Sequence, residues 1–305
     1  MGWEKQGLLI PPPTHLRWVA SHAAVPFADA AVEDDQWVYF TARDELDRSQ
    51  IARARLAQDG TGLIATVAGD PVLLPGRLGT FDDSGVMSSS LVREGSRQFL
   101  YYQGWSLGVT VPFYVFIGCA ISEDDGRTFE RVSEAPIVGR SETDPILAAS
   151  PWVLNESGHW RMWYVSAAGW SPRGKKQHYY VHIRHAESDD GVHWRSDQEV
   201  AVDFERDGEY AVARPCVVRD RDCYRMWYAH RGASYRIGYA ESPDGLNWTR
   251  RDDATLAAIA PSSSGWDSEM VEYGTVFDRL GARYMLYNGN GFGQTGIGYA
   301  VWRGS

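Results

Sequence analysis

One aromatic phrase returns five times along the chain at a spacing of about sixty residues, and a repeat of that period dictates the fold before any single residue is given a role. The copies are "WVYFTARDELDRSQIARARL" (37–56), "FLYYQGWSLGVTVPFYVFIGCAISEDDGRTF" (99–129), "WRMWYVSAAGW…RHAESDDGVHW" (160–194), "YRMWYAHRGASYRIGYAESPDGLNW" (224–248) and "YMLYNGNGFGQTGIGYAVW" (284–302). Each follows an apolar run that ends in a turn: "VPFADAAVEDD", "MSSSLVREGS", "SPWVLNESG", "RPCVVRDRD" and "YGTVFDRLG". Alternating apolar and polar residues between Gly, Asn and Asp clusters read as short strands, and helical periodicity over ten or more residues is nearly absent.

The unit is therefore strand, turn, strand, loop, strand, Asp-Gly turn and a last strand opened by Trp or Phe. Five such units without intervening helices predict an all-β fold, a five-bladed β-propeller of four-stranded antiparallel blades. Wedge-filling between blades accounts for 13 tryptophans and 16 tyrosines without a ligand. The last copy stops at "VWRGS" with no fourth strand, whereas "GWEKQGLLI" matches the fourth-strand pattern of "NWTRRDDATLA" and "TFERVSEAPIV". Trp3–Ile10 is thus predicted to pair with the last blade and close the ring. The single domain, 1–305, divides into blades at about 18–75, 81–138, 144–203, 209–258, and 267–305 with 1–10.

A net charge of −10 argues against a nucleic acid or an anionic membrane as partner. The longest apolar stretch, "VTVPFYVFIGCAI" (109–121), is too short to span a bilayer and holds Pro112 and Gly118. "MGWEKQGLLIPPP" has neither a basic leader nor an apolar core. Three cysteines, Cys119, Cys216 and Cys223, cannot all pair; with the missing leader this predicts a cytoplasmic protein with buried spectator thiols.

In a propeller the first strand of each blade lines the central channel. Its leading end shares a face with the loop between strands two and three, where ligand sites sit. With the first strands anchored on Pro26, Ser88, Pro151, Pro215 and Gly274, four of the five preceding segments carry carboxylates. These are Asp82 and Asp83, Asp144, Glu209, and Asp267, Glu269 and Glu272; the first segment offers His22, and Arg214 ends the fourth. Acids gathered around one axis must be solvated, protonated or paired, and crowding is how one stays protonated beside a basic neighbour. Asp82 and Asp267, next to Ser and Gly, read as turn-formers; Asp83, Asp144, Glu209 and Glu269 read as catalytic. The loops between strands two and three add Arg43, Asp44 and Arg48, Trp105, Trp170, His230 and Arg231, and Asn288 and Asn290. Aromatic platforms with directional polar groups suit a small carbohydrate or glycoside, with His22, Arg214 and Glu272 completing the binding set. No cofactor is called for, although a carboxylate ring in the channel could hold Ca²⁺.

"SEDDGRTF", "SDDGVHW" and "SPDGLNW" resemble the Asp-box turns of several propeller families, sialidases included. Asp bonds its own turn, Gly takes φ > 0 and the aromatic anchors the blade, so these phrases are structural.

The blades resemble the five-bladed glycoside hydrolase superfamily of invertases, levansucrases, arabinanases, xylosidases and mannoside phosphorylases. The whole chain looks like a bacterial glycosidase-like branch of it, through "SHAAVP", "FDDSGVM", "ARPCVV", "RMWYAHRGASYRIGYAES", "GWDSEM" and "YNGNGFG" over residues 15–302. The resemblance implies three channel carboxylates acting as nucleophile or base, transition-state stabiliser and general acid. "TDP" at 143–145 resembles the phrase carrying the stabiliser, which makes Asp144 that residue. Glu209 would be the general acid, Asp83 the base by position, and Glu269 the substitute for either. One departure stands out: His22 occupies the first blade, where the family places an aspartate.

Three readings follow. The first is hydrolysis or phosphorolysis of a small glycoside, with one carboxylic acid protonating the leaving oxygen and a carboxylate activating water. A sugar-binding propeller without catalysis is the second, kept open by His22. Third is sugar or secondary-metabolite biosynthesis by elimination or isomerisation in the same pocket. Arg43, Arg48, Arg214 and Arg231 at the mouth add a phosphate or an acidic sugar to the candidate ligands.

Overall fold

The computed structural model describes residues 2–29, 36–59, 62–172, 177–205, 207–252 and 259–304. The turn expected at 30–35 and the end of the fourth copy beyond Asp252 lie outside the described residues. Among the described residues the chain is all-β, with one four-residue helical turn.

Each sequence copy becomes an antiparallel meander. The first is β2 (Ser21–Ala28), β3 (Trp37–Arg43), β4 (Ser49–Asp59) and β5 (Gly62–Val67). Next come β6 (Gly85–Glu94), β7 (Arg97–Leu107), β8 (Phe113–Ser122) and β9 (Glu130–Arg131). The third holds β10 (Ala148–Glu156), β11 (His159–Trp170), β12 (Tyr179–Ser188) and β13 (Arg195–Val202). The fourth holds β14 (Ala211–Arg219), β15 (Tyr224–Arg231), β16 (Tyr235–Ser242) and β17 (Thr249–Arg250). The fifth has β18 (Glu272–Arg279), β19 (Ala282–Asn288) and β20 (Ile297–Trp302), and its fourth strand is β1 (Trp3–Ile10). The N-terminal segment thus pairs with the last copy, as its pattern predicted. Between β19 and β20 lies the turn α1 (Asn290–Gly293), in which Gly291 and Phe292 have left-handed backbones.

First strands pack in succession: β2 on β6, β6 on β10, β10 on β14, β14 on β18, and β18 back on β2. Single parallel bridges, Ser49↔Gly85 and Val181↔Ala211, join the first group to the second and the third to the fourth.

Side-chain chemistry repeats with the strands. Tyr102, Tyr228 and Tyr287 on the second strands face Gly118, Gly238 and Gly298 on the third strands. A Cβ on Gly118 would come within 2.2 Å of the Tyr102 ring, so a bare backbone is what lets the ring lie flat there. The "DG" turns form as expected. Ser122, Ser188 and Ser242 accept the amides of Gly126, Gly191 and Gly245, while Asp124, Asp190 and Asp244 accept the amides that follow. Neighbouring groups clasp these turns: Tyr101 donates to the Gly191 carbonyl and Trp163 to that of Gly245, both at 2.8 Å.

Four first strands carry a register shift with a left-handed residue just before the anchor: Val25 before Pro26, Ser150 before Pro151, Arg214 before Pro215 and Tyr273 before Gly274. A non-glycine residue there, above all a β-branched one before proline, stores roughly 1–3 kcal/mol of strain. A bulge re-aims the side chain, and all four belong to strands that pack around the common hub.

No helix among the described residues is long and apolar enough to cross a membrane. Cys119 and Cys216 are buried, and all three cysteines are free.

Candidate functional site

The strands leave a cavity of about 270 Å³ walled by all five groups. From the first come His22, Thr41 and Arg43; from the second Met87, Gln103, Trp105 and Phe113; from the third Leu147, Ser150, Val165 and Tyr179; from the fourth Ala213 and Tyr235; from the fifth Tyr273 and Phe292. It opens on the face of the loops between strands two and three, since Arg43 and Trp105 close β3 and β7 against the leading residues Ser21 and Gly85.

The wall is apolar and aromatic, and its polar groups are mostly engaged. The Gln103 carbonyl oxygen accepts the Ser150 amide at 3.0 Å and the Ser150 hydroxyl at 2.8 Å. Trp105 Nε1 donates to Ser49 Oγ at 2.7 Å, and Thr41 Oγ1 accepts the Ser88 amide at 3.0 Å. His22 sits in a left-handed conformation with Nδ1 2.7 Å from Ser21 Oγ. Burial, and then the Arg43 guanidinium, push its pKa down to about 4, so the ring is neutral at physiological pH. Arg43 donates to the exposed Asp47 at 2.9 Å.

Among the described residues no Asp or Glu lines this cavity. The four acids expected to converge there sit elsewhere, for a reason the repeat makes plain. Asp82, Asp144 and Asp267, each 2% exposed or less, accept the hydroxyl of a second-strand tyrosine twenty positions on: Tyr102 at 3.1 Å, Tyr164 at 2.9 Å and Tyr287 at 3.2 Å. The fourth strand supplies a cation in two of these groups, Arg131 Nε to Asp82 at 2.8 Å and Lys5 Nζ to Asp267 at 2.6 Å. In the fourth group Tyr228 donates to Asp252, and Arg250 ties Asp252 (2.6 Å) to Glu209 (2.8 Å). Asp82, Glu209 and Asp267 thereby join the leading end of a first strand to the outer strand of its own group. Asp144 accepts the Thr143 and Tyr164 hydroxyls through Oδ2, and its buried Oδ1 has no hydrogen-bond partner.

Glu209 was expected to be an acid that keeps its proton. Burial does push its pKa up, but hydrogen bonds from His230 (3.0 Å) and Arg250 outweigh that and hold the carboxyl well below the ordinary range. An ionised, saturated carboxylate cannot protonate a leaving group. Asp83 caps its own loop, accepting the Gly79 amide and the Ser84 hydroxyl at 3.0 Å each. Glu269 is exposed, with its backbone amide on Asn290 Oδ1.

Of the residues expected to bind substrate, His22, Arg43 and Trp105 line the cavity. Asp44 organises its own turn, accepting the amides of Leu46 and Arg48 and pairing with the Arg48 side chain. Trp170 packs on Phe113 and Tyr179 behind the wall. His230 belongs to the Glu209 network, and Asn290 ties its loop to Gly265 at 3.0 Å. Arg214, 1% exposed, crosses the hub to donate to the carbonyls of Ser88 (2.6 Å) and Val25 (3.1 Å); its Nε has no partner. Asn288 accepts the Val25 amide at 2.9 Å and approaches Glu272 Oε1 at 3.4 Å. Arg231 lies over the rings of Tyr210, Tyr235 and Phe292. Glu272 is wholly buried beside Tyr273, its Oε2 unpartnered; burial pushes its pKa up to about 8, against the pull of Asn288 and Arg231. Among the described residues no three His, Cys, Asp or Glu side chains converge as metal ligands, so the carboxylate ring that could have held Ca²⁺ does not form among them.

Sequence reasoning missed Met87, Gln103, Ser150, Tyr179, Tyr235 and Tyr273, because only acidic and basic side chains were singled out near the anchors. The available signal was position: Met87, Ser150 and Tyr273 each stand immediately before an anchor residue.

No protein-family profile matches the chain. Over 301 residues it is 44% identical to "Uncharacterized protein MT1551" of Mycobacterium tuberculosis (strain CDC 1551 / Oshkosh), covering 99% of both chains. "Uncharacterized protein Rv1502" of Mycobacterium tuberculosis (strain ATCC 25618 / H37Rv) matches with the same identity and coverage. The chain belongs to their family. Among solved structures it resembles a "Glycoside hydrolase" with a TM-score of 0.78 at 19% identity, covering 99% of this chain and 92% of that one. A structure from the GH130 family of mannoside phosphorylases, which contains glycoside hydrolases that target beta-1,2 mannosidic linkages in Candida mannan, matches with a TM-score of 0.70 at 15% identity, covering 99% and 94%. A glycosyl hydrolase from Bacteroides ovatus matches with a TM-score of 0.69 at 15% identity, covering 99% and 90%. This family therefore has the fold of the glycoside hydrolase propellers.

Proposed function

We propose that the five meanders are the blades of one five-bladed propeller closed by β1, and that its mouth binds a small carbohydrate or glycoconjugate without carboxylate-pair hydrolysis. The cyclic packing of the first strands and the pairing of β1 with β20 support the ring. Trp105, Phe113, Tyr179, Tyr235 and Tyr273 offer flat surfaces to the face of a sugar ring, and His22, Arg43, Gln103 and Ser150 offer polar contacts. The volume, about 270 Å³, suits one ring rather than an oligosaccharide.

The observation that carries this reading is the absence of Asp and Glu, among the described residues, from the cavity wall. Glycoside hydrolysis by the two-carboxylate route needs an acid and a base flanking the bond. Here Asp144 is bonded to the Tyr164 hydroxyl, Asp83 is held in a turn and Glu209 in a saturated ion pair, and Glu269 is exposed outside the wall. The test is a panel of aryl glycosides, with and without phosphate, alongside saturation-transfer NMR with the matching sugars. Binding without turnover is the expected result. Turnover abolished by Asp83→Asn or Glu209→Gln would overturn the reading in favour of hydrolysis or phosphorolysis.

A further inference from the structure

Among the described residues the cavity wall holds one cation and no carboxylate, and a second cation stands behind its aromatic face. Among the described residues Arg43 is the one charged side chain in its wall, because His22 is neutral. Asp47 occupies one of the guanidinium's five donors and is itself 70% exposed, so water competes for that pair. Behind the wall, the Arg231 guanidinium stacks 4.9 Å from the Tyr235 centroid and 5.8 Å from that of Phe292, both cavity residues. Its Nε is buried without a hydrogen-bond partner, and among the described residues it has no ion pair. The buried carboxyl that feels its charge, Glu272, is kept neutral at physiological pH by burial. Arg43 and Arg231 are the last residues of β3 and β15 and thus occupy matching positions at the mouth.

The Gln103 oxygen is filled by Ser150, and Thr41 is bonded to Ser88. The hydroxyls of Tyr179, Tyr235 and Tyr273 can donate or accept and so serve a sugar hydroxyl, but they carry no charge, which leaves Arg43, among the described residues of the wall, as the group that answers an anion. Guanidinium groups are the side chains best shaped to receive an oxyanion.

We propose that the mouth cavity takes an anionic sugar, one carrying a single carboxylate or phosphate, with Arg43 receiving the oxyanion and Arg231 adding positive charge from behind the aromatic wall. This rests on the carbohydrate reading above and names its substrate class.

Isothermal titration of the full chain at low and high salt tests it, with methyl glucoside, methyl glucuronide, glucose 6-phosphate, inorganic phosphate and phenylacetate as probes. A charged sugar is expected to bind at least tenfold tighter than methyl glucoside, with an advantage that shrinks as salt rises. Arg43→Gln should erase most of the advantage and Arg231→Gln a smaller part of it, each unfolding within a few degrees of wild type; Arg43→Gln alters only the rim and keeps the test valid if Arg231→Gln misfolds. Equal affinity for methyl glucoside, or an advantage that survives Arg43→Gln, overturns the anion claim and leaves the carbohydrate reading standing. Phosphate or phenylacetate binding as tightly as the sugars supports the role of Arg43 but overturns the carbohydrate reading. Silence from all five probes overturns both.

Discussion

Glu272→Gln should make the protein more stable at neutral pH, an unusual expectation for a wholly buried residue. The carboxyl has an ordinary value of 4.5, and burial raises it to about 8 in the fold. Between those limits the unfolded chain has released the proton while the folded chain still holds it. Folded protein then binds one more proton than unfolded, so stability falls as pH rises from about 4.5 and levels off above about 8. At about 1.4 kcal/mol per pH unit, the full window amounts to roughly 5 kcal/mol, and the part reached by pH 7 to roughly 3 kcal/mol. Glutamine matches the protonated acid in shape, keeps an oxygen for Asn288, and cannot ionise. Urea unfolding of both proteins at pH 5, 7 and 8.5 measures the effect. The two should be nearly equal at pH 5, with the glutamine variant ahead by a growing margin at pH 7 and 8.5. Parallel pH profiles would mean that Glu272 ionises normally, and would remove the neutral acid invoked beside Arg231.

Lys5→Met strips the cation from Asp267, which is 3% exposed in its side chain, and should cost about 3 kcal/mol in urea unfolding at pH 7. Unchanged stability would refute the latch between β1 and the last group. Gly118→Ala drives a methyl group into the Tyr102 ring and should cost at least about 2 kcal/mol, whereas Gly169→Ala, with nothing within 4 Å of the new carbon, should stay within about 0.5 kcal/mol by the same assay. Arg214→Met takes the guanidinium from the Ser88 and Val25 carbonyls at the hub, of which Val25 keeps the Ser88 hydroxyl, and should lower stability by about 1–3 kcal/mol. A neutral result in thermal unfolding would mean that water replaces the guanidinium there.

The architecture was legible because the repeat writes each strand five times, and each copy corrects the boundaries of the others. Even the pairing of β1 with β20 could be read, since "WEKQGLLI" carries the outer-strand alternation with Lys5 in the place of a latch cation. The site was less legible for the same reason. Asp82, Asp144 and Asp267 each stand twenty positions before the second-strand tyrosine that they bond, so that pairing belongs to what the copies share. Arg43, Trp105, Arg231 and Asn288, by contrast, differ between copies at the end of the second strand, and the first two line the cavity. Arg231 stacks on its aromatic wall. Ser150 and Tyr273 reach the cavity through left-handed residues at register shifts, a re-aiming that strict alternation along a strand does not disclose.

The pairing of β1 has a consequence in time. Lys5 bonds a residue 262 positions away, and Glu4 one 299 positions away. On a ribosome adding about 5–20 residues per second, the first strand to emerge waits roughly 15–60 s for its neighbour β20. During that interval its amides and carbonyls are an open edge, and the last meander lacks an outer strand to cover it. Birth order and seating order are thus opposed at this one seam, which makes it the place where a nascent chain is most open to capture by a chaperone or by the unfinished edge of another copy.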